Sequence, residues 1–210
     1  IFLFLTANRN LVWKNNYTLF TTDAHTYPTS VRLNNGAAEE SVRLSDQEHD
    51  PIKKNELLTR AEEYCNQIMT VKPVATAYLT LGNIRMRQQK YKEAIEYYQQ
   101  VNDLKQIVDK NLALAYRELG RQAGEKENDI PKAQQNLSLS IKLNPNDAET
   151  WFILGVSYGV TGNHSKAADH FEKAYQLSPS VNYAKNAMNA YLNAGNTSKY
   201  EQFKAIVERK

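Results

Sequence analysis

The stretch "AETWFILGVSYGVTGNHSKAADHFEKAYQLSPS", residues 148–180, constrains the fold more than any other part of the 210-residue chain. Trp151, Leu154 and Tyr158 fall at i, i+3 and i+7, the spacing of one helical face. Gly155 and Ala167 are small, so two antiparallel helices can approach closely at those points. Gly162 stands where the first helix must stop. Pro179 ends the second helix, because it cannot continue the hydrogen-bond ladder. The unit therefore reads as a helical hairpin with a pre-shaped interface and no strand character.

The same register recurs along the chain. "ATAYLTLGNIRMRQQKYKEAIEYYQQV" puts Tyr78, Leu81, Gly82, Ala94, Tyr98 and Val101 in matching slots. "NLALAYRELG" supplies Leu112, Ala113, Tyr116, Leu119 and Gly120, and "IPKAQQNLSLSIKLNP" adds Ala133, Leu137, Ser140 and Pro145. Between them "RQAGEKEND" reads as an insertion in the turn. Upstream, "TSVRLNNGAAEESVRL" and "NELLTRAEEYCNQIMTVKP" pair across a long turn, "SDQEHDPIKKN". The last copy is "NYAKNAMNAYLNAGNTSKYEQFKAIVERK", where Tyr200 replaces a small residue. Before the first full copy, Tyr17, Phe20 and Pro28 suggest a second helix without its first. One pair cannot bury its apolar face alone, so neighbours must supply the core.

These positions resemble the tetratricopeptide repeat at its signature sites. The resemblance implies an all-α, right-handed superhelix of about five helix pairs plus an N-terminal partial repeat. The expected division is 1–28 for the membrane-proximal helix end and partial repeat, then repeats at about 29–74, 75–105, 106–147, 148–180 and 181–210. The stripes Tyr98, Tyr116, Trp151, Tyr158 and Phe171 are expected to be core.

Composition narrows function. The formal charge is +3, and basic and acidic residues are interspersed, as in "KYKEAIEYY". A nucleic-acid surface concentrates its cations, so nucleic acid is not the expected partner. A single cysteine, Cys65, rules out an internal disulfide framework, and its interior slot reads as a buried thiol. His25, His49, His164 and His170 show no zinc-ligand spacing. The glycines are isolated and form no phosphate-cradling loop. "EKENDIPK" lacks the alternating acids of a calcium loop. Asn16, Asn136, Asn163 and Asn196 begin Asn-x-Ser/Thr triplets, which matter only in a secretory eukaryotic setting. No cofactor, metal or catalytic residue is expected.

The opening "IFLFLTANRNLVWK" stands out in a chain of mean hydropathy −0.64. It lacks the basic leader and cleavage site of a signal peptide and falls short of the ~20 apolar residues that cross a bilayer. Arg9-Asn10, Trp13-Lys14, Leu19-Phe20 and Pro28 resemble the junction at which the last membrane helix of the transmembrane-and-TPR O-mannosyltransferase-like family enters its repeats. The resemblance implies a piece of a larger, extracytoplasmic, membrane-attached protein of glycosyltransferase type, with none of its catalytic residues in this chain. Arg9 and Trp13 would mark the membrane surface; Trp13 could instead pack on the first repeat.

The remaining activity is binding. Tetratricopeptide arrays commonly hold a peptide in the groove lined by their first helices. The groove positions here are Asn83, Met86, Arg87, Lys110, Asn111, Leu114, Arg117, Phe152, Val156, Gly159, Lys185 and Asn189. Asparagines there can bond an extended backbone in both directions, and Arg87 and Arg117 could grip carboxylates. Leu79, Glu149 and Ile153 occupy slots where the chaperone-binding carboxylate clamp needs Lys or Arg, so that clamp is not expected. Two readings follow. One is a non-catalytic interaction scaffold, the extracytoplasmic domain of a membrane protein. The other is a free-standing soluble adaptor, cytoplasmic or periplasmic, with a peptide in its groove.

Overall fold

The computed structural model describes residues 13–209. Arg9 and the "IFLFL" run lie outside the described residues. Within them the chain is all-α, with eleven helices and no strand. It divides into two compact units, residues 1–108 and 109–210.

The first unit contains α1 (Asn16–Thr26), α2 (Val31–Gln47), α3 (Pro51–Val71), α4 (Ala75–Arg87) and α5 (Tyr91–Gln99). Short polar side chains start the early helices. Asn15 caps α1 in a capping box with Thr18, Ser30 accepts from Leu33 N at 3.4 Å, and Asp50 accepts from Ile52 N at 2.8 Å. The last cap corrects the expected long turn. "SDQEHDPIKKN" is mostly helical, because α2 runs to Gln47 and α3 starts at Pro51, leaving Glu48, His49 and Asp50 between. Pro51 is pre-set for a first helical position, and the Glu48 carboxylate accepts from His49 N and Asp50 N at 2.8 and 2.9 Å.

The core of this unit gathers Ala38, Val42, Leu58, Ala61, Cys65, Leu81 and Ile84. Cys65 is fully buried, and that burial pushes its thiol up to about 12. It is an inert packing residue at any ordinary pH. Arg85, 8% exposed, donates to both carboxylate oxygens of Glu62 at 2.6 and 2.8 Å. Its Nε lies 2.7 Å from Glu93 Oε2, in ionic contact without good hydrogen-bond alignment.

The second unit holds most of α6 (Lys105–Glu125), then α7 (Ile130–Leu143), α8 (Ala148–Val160), α9 (His164–Leu177), α10 (Val181–Asn193) and α11 (Thr197–Glu208). Asp129, Asp147, Asn163, Ser180 and Asn196 cap α7 to α11 in turn. The expected insertion "RQAGEKEND" is half helix. The α6 ladder continues to Glu125, and the turn closes when Asp129 N reaches Ala123 O at 2.8 Å. Asn128 takes the left-handed conformation that lets so short a turn close, with φ +53°.

Gly162 is also left-handed, at φ +76°, and a Cβ there would meet nothing within 4 Å. Its cost is therefore purely conformational. Gly162→Ala is expected to lose about 1 kcal/mol in urea titration, with the helical signal retained.

His170 lies between two rings of its own repeat, 5.4 Å from Trp151 and 5.1 Å from Tyr158. Burial chiefly holds its pKa below the ordinary value; Asp169 opposes this and Lys166 adds to it. The unfolded chain then binds the proton more readily, so the lost stability appears as pH falls below about 6.5. Thermal midpoints should decline between pH 7.5 and 5.5, and His170→Phe should flatten that part of the profile. An unchanged slope in the variant would remove His170 as its source.

Candidate peptide groove

In the three repeats 75–105, 106–147 and 148–180 the first helix approaches the second through a glycine. A Cβ on Gly82 would lie 2.3 Å from the Tyr98 ring. On Gly120 it would lie 2.8 Å from Leu137 Cγ, and on Gly155 2.8 Å from the Phe171 ring. Beside each close seat, neighbouring positions of the same first helix form a more open face within their own unit.

In the first unit that face is charged and internally paired. A cavity of about 200 Å³ is lined by Val42, Asp46, Thr80, Asn83 and Arg87, with Glu39 and Arg43. Arg87 forks onto Asp46 at 2.7 and 2.6 Å, and its Nη1 donates to Asn83 O at 3.0 Å. The Arg87 hydrogen bond holds the Asp46 carboxyl below its usual range. Tyr98 donates to Asn83 Oδ1 at 2.8 Å from the core side.

In the second unit the arginines are also engaged. Arg117 donates to Asp147 Oδ2 at 2.9 Å and to Glu118 Oε1 at 3.0 Å. Desolvation works against the Arg117 charge, and Asp147 and Glu118 outweigh it, so its pKa is raised. Arg121 donates to Glu149 at 3.1 Å, and Tyr183 donates to the other oxygen of Glu149 at 3.1 Å. Phe152 packs against Phe171 and Tyr183 at 5.4 and 5.0 Å between ring centres. Lys110, Lys185 and Asn189 are exposed, and Asn111 is half-buried.

Beside these pairs lies an apolar trough. Val156 and Val160 are 40% and 68% exposed. They line two cavities at once, one of about 200 Å³ and one of about 330 Å³. The smaller is floored by Gly120, Gly124, Ala133 and Leu137. The larger is floored by Gly159, Ala167, Phe171 and Ala190, with Asn186, Asn189 and Asn193 along one wall. Sequence reasoning named Val156, Gly159 and Asn189 but missed Gly124, Val160, Asn186 and Asn193. The repeat register carries the signal: Gly124 and Gly159 each stand four residues after a close-packing glycine, and the asparagines recur at i, i+3 and i+7.

The tetratricopeptide repeat family matches residues 75–105 and 148–181. Those two segments carry tetratricopeptide repeats. Solved structures share the fold of much of the chain. One is YrrB, described as a TPR protein with an unusual peptide-binding site: TM-score 0.54, 21% identity, 88% of each chain covered. Another is BtubC (BKLC) from P. vanneervenii: TM-score 0.65, 16% identity, covering 92% of this chain and 86% of that one. A third is pilF of Pseudomonas aeruginosa: TM-score 0.56, 12% identity, covering 97% and 86%. At these identities the likeness is one of fold. No curated protein matches the chain.

Among the described residues no three His, Cys, Asp or Glu side chains gather as a metal site. No described helix is long and apolar enough to cross a membrane. Trp13 is 65% exposed.

Proposed function

We propose that this chain is a non-catalytic protein-interaction scaffold that holds an extended peptide along the first helices of its repeats. The observation that carries this is the largely apolar trough around Val156 and Val160. Solvent-facing valines beside shaped cavities are poorly explained by folding alone and well explained by a ligand. Asn83, Lys110, Asn111, Lys185 and Asn189 belong to the proposed groove surface, while Phe152 supports the wall. Arg87 and Arg117 already hold carboxylates of this chain, so their part is to shape the groove rather than to grip an acidic ligand. The repeat units 29–74, 75–105, 106–147, 148–180 and 181–210 are the proposed binding modules.

Selection of a displayed random 12-residue peptide library tests the reading. Enriched peptides are expected to bind Val160→Asp at least tenfold more weakly than the parent. Equal binding, or no enrichment, would overturn it.

The extracytoplasmic, membrane-attached placement is part of the proposal, including a parent protein of glycosyltransferase type. It is supported by the Arg9–Trp13 junction resemblance and by the exposed Trp13 ring, which suits an interface. Fractionation of the protein expressed from its full gene should place it in the membrane pellet. Recovery in the soluble fraction would favour a free-standing adaptor.

A further inference from the structure

Two glycines distinguish the trough from the rest of the fold. Gly82, Gly120 and Gly155 are sterically required, since a Cβ on each would fall under 3.0 Å from a packed side chain. Gly124 and Gly159 are not: a Cβ there would sit 3.5 Å from Ala133 Cβ and 3.9 Å from Ala167 Cβ, ordinary contact distances. Both lie in helices, where glycine is a poor choice unless something needs the space. What the absent side chains leave open is the floor of the two cavities.

The walls describe what fills that space. Around the larger cavity the lining is aliphatic, aromatic and amide, with His164 at one end. Around the smaller, the charges are Arg121 and Glu125, and Arg121 is already held by Glu149. Neither cavity offers a cation to an acidic ligand. Asn186, Asn189 and Asn193 supply both donors and acceptors along one edge. Asn186 Nδ2 already donates to Asn182 O at 2.8 Å, so its carbonyl oxygen is what it can offer. Amides of both polarities suit a backbone whose N–H and C=O groups are unpaired. A bound helix satisfies its own backbone and would leave them idle.

We propose that the trough takes an uncharged, extended segment of a partner protein, seating one apolar side chain in each cavity on either side of Val156 and Val160, with the asparagine edge bonding its backbone. This rests on the peptide-binding reading above and specifies the ligand for it.

The test uses the full chain and synthetic, end-blocked 11-residue peptides in a Ser/Thr/Gln background. Each carries two residues chosen from Leu and Phe, separated by two, three or four positions. Binding is read by fluorescence polarisation. At least one spacing is expected to bind. Replacing either apolar residue by Glu or Lys should weaken it at least tenfold. Gly159→Leu, which fills the larger cavity from the floor, should do the same with its thermal midpoint retained. Asn189→Ala, a surface change, should weaken binding without altering stability. Charged peptides that bind as well as apolar ones, or full binding by Gly159→Leu, would overturn this assignment and leave peptide binding standing. Failure of every synthetic peptide together with failure of the random library would remove both.

Discussion

Tyr98→Ala is expected to cost about 3–5 kcal/mol, the range for emptying a large aromatic site in a core. Tyr98 is 1% exposed and the largest fully buried side chain among the described residues. Its ring lies directly on Gly82, and its hydroxyl reaches Asn83 Oδ1 at 2.8 Å. Removing it leaves a void beneath α4 that the glycine cannot fill. For a chain of this size the loss converts to a fall of roughly 6–20 °C in melting midpoint. Tyr98→Phe keeps the ring and gives up the hydroxyl bond, so its cost should be near 1 kcal/mol. Differential scanning calorimetry separates the two. A loss under 1 kcal/mol for the alanine variant would mean that the α4–α5 contact is not packed as described.

Gly155→Leu is the second large effect, and its cause is the opposite one. The first added carbon meets the Phe171 ring at 2.8 Å and the Ala167 carbonyl oxygen at 3.2 Å. The ring is 5% exposed and backed by Phe152, so it has little room to retreat. Helix α8 must move away from α9, at a cost of about 3 kcal/mol or more. Gly159→Ala, one helical turn further on, adds its carbon at 3.9 Å from Ala167 Cβ and should leave stability unchanged or slightly raised. Chemical denaturation of both variants measures the contrast. Equal destabilisation would refute the division of these glycines into packing and groove positions.

That division shows how much the sequence can reveal. The repeat glycines, the alanines facing them and the Asp, Asn and Ser caps all act within a helix pair, so spacing alone exposes them. The turns before Pro51 and Asp129 are shorter than the sequence suggests, because a cap can follow a helix end within a few residues and charged segments look alike in both states. The fate of Arg87 was not legible. Asp46 stands 41 residues away on another helix, and only stacking brings them together. The same holds for Arg117 and Asp147, 30 residues apart. The groove positions Val160, Asn186 and Asn193 were legible in principle, because the register that predicts Val156 and Asn189 also places them one helical turn away.

The pairing of Arg87 with Asp46, Arg117 with Asp147 and Arg121 with Glu149 also bears on how fast a partner can arrive. Each of these three arginines is neutralised within 4 Å by an acid of the same chain and adds little long-range field, and an uncharged segment gives the exposed Lys110 and Lys185 nothing to attract. An approaching segment is not steered. Its association rate should sit near the unassisted 10⁵–10⁶ M⁻¹s⁻¹, as an order of magnitude, and change little between low and high salt. Selectivity would then reside in how long a segment stays, set by the fit of two side chains.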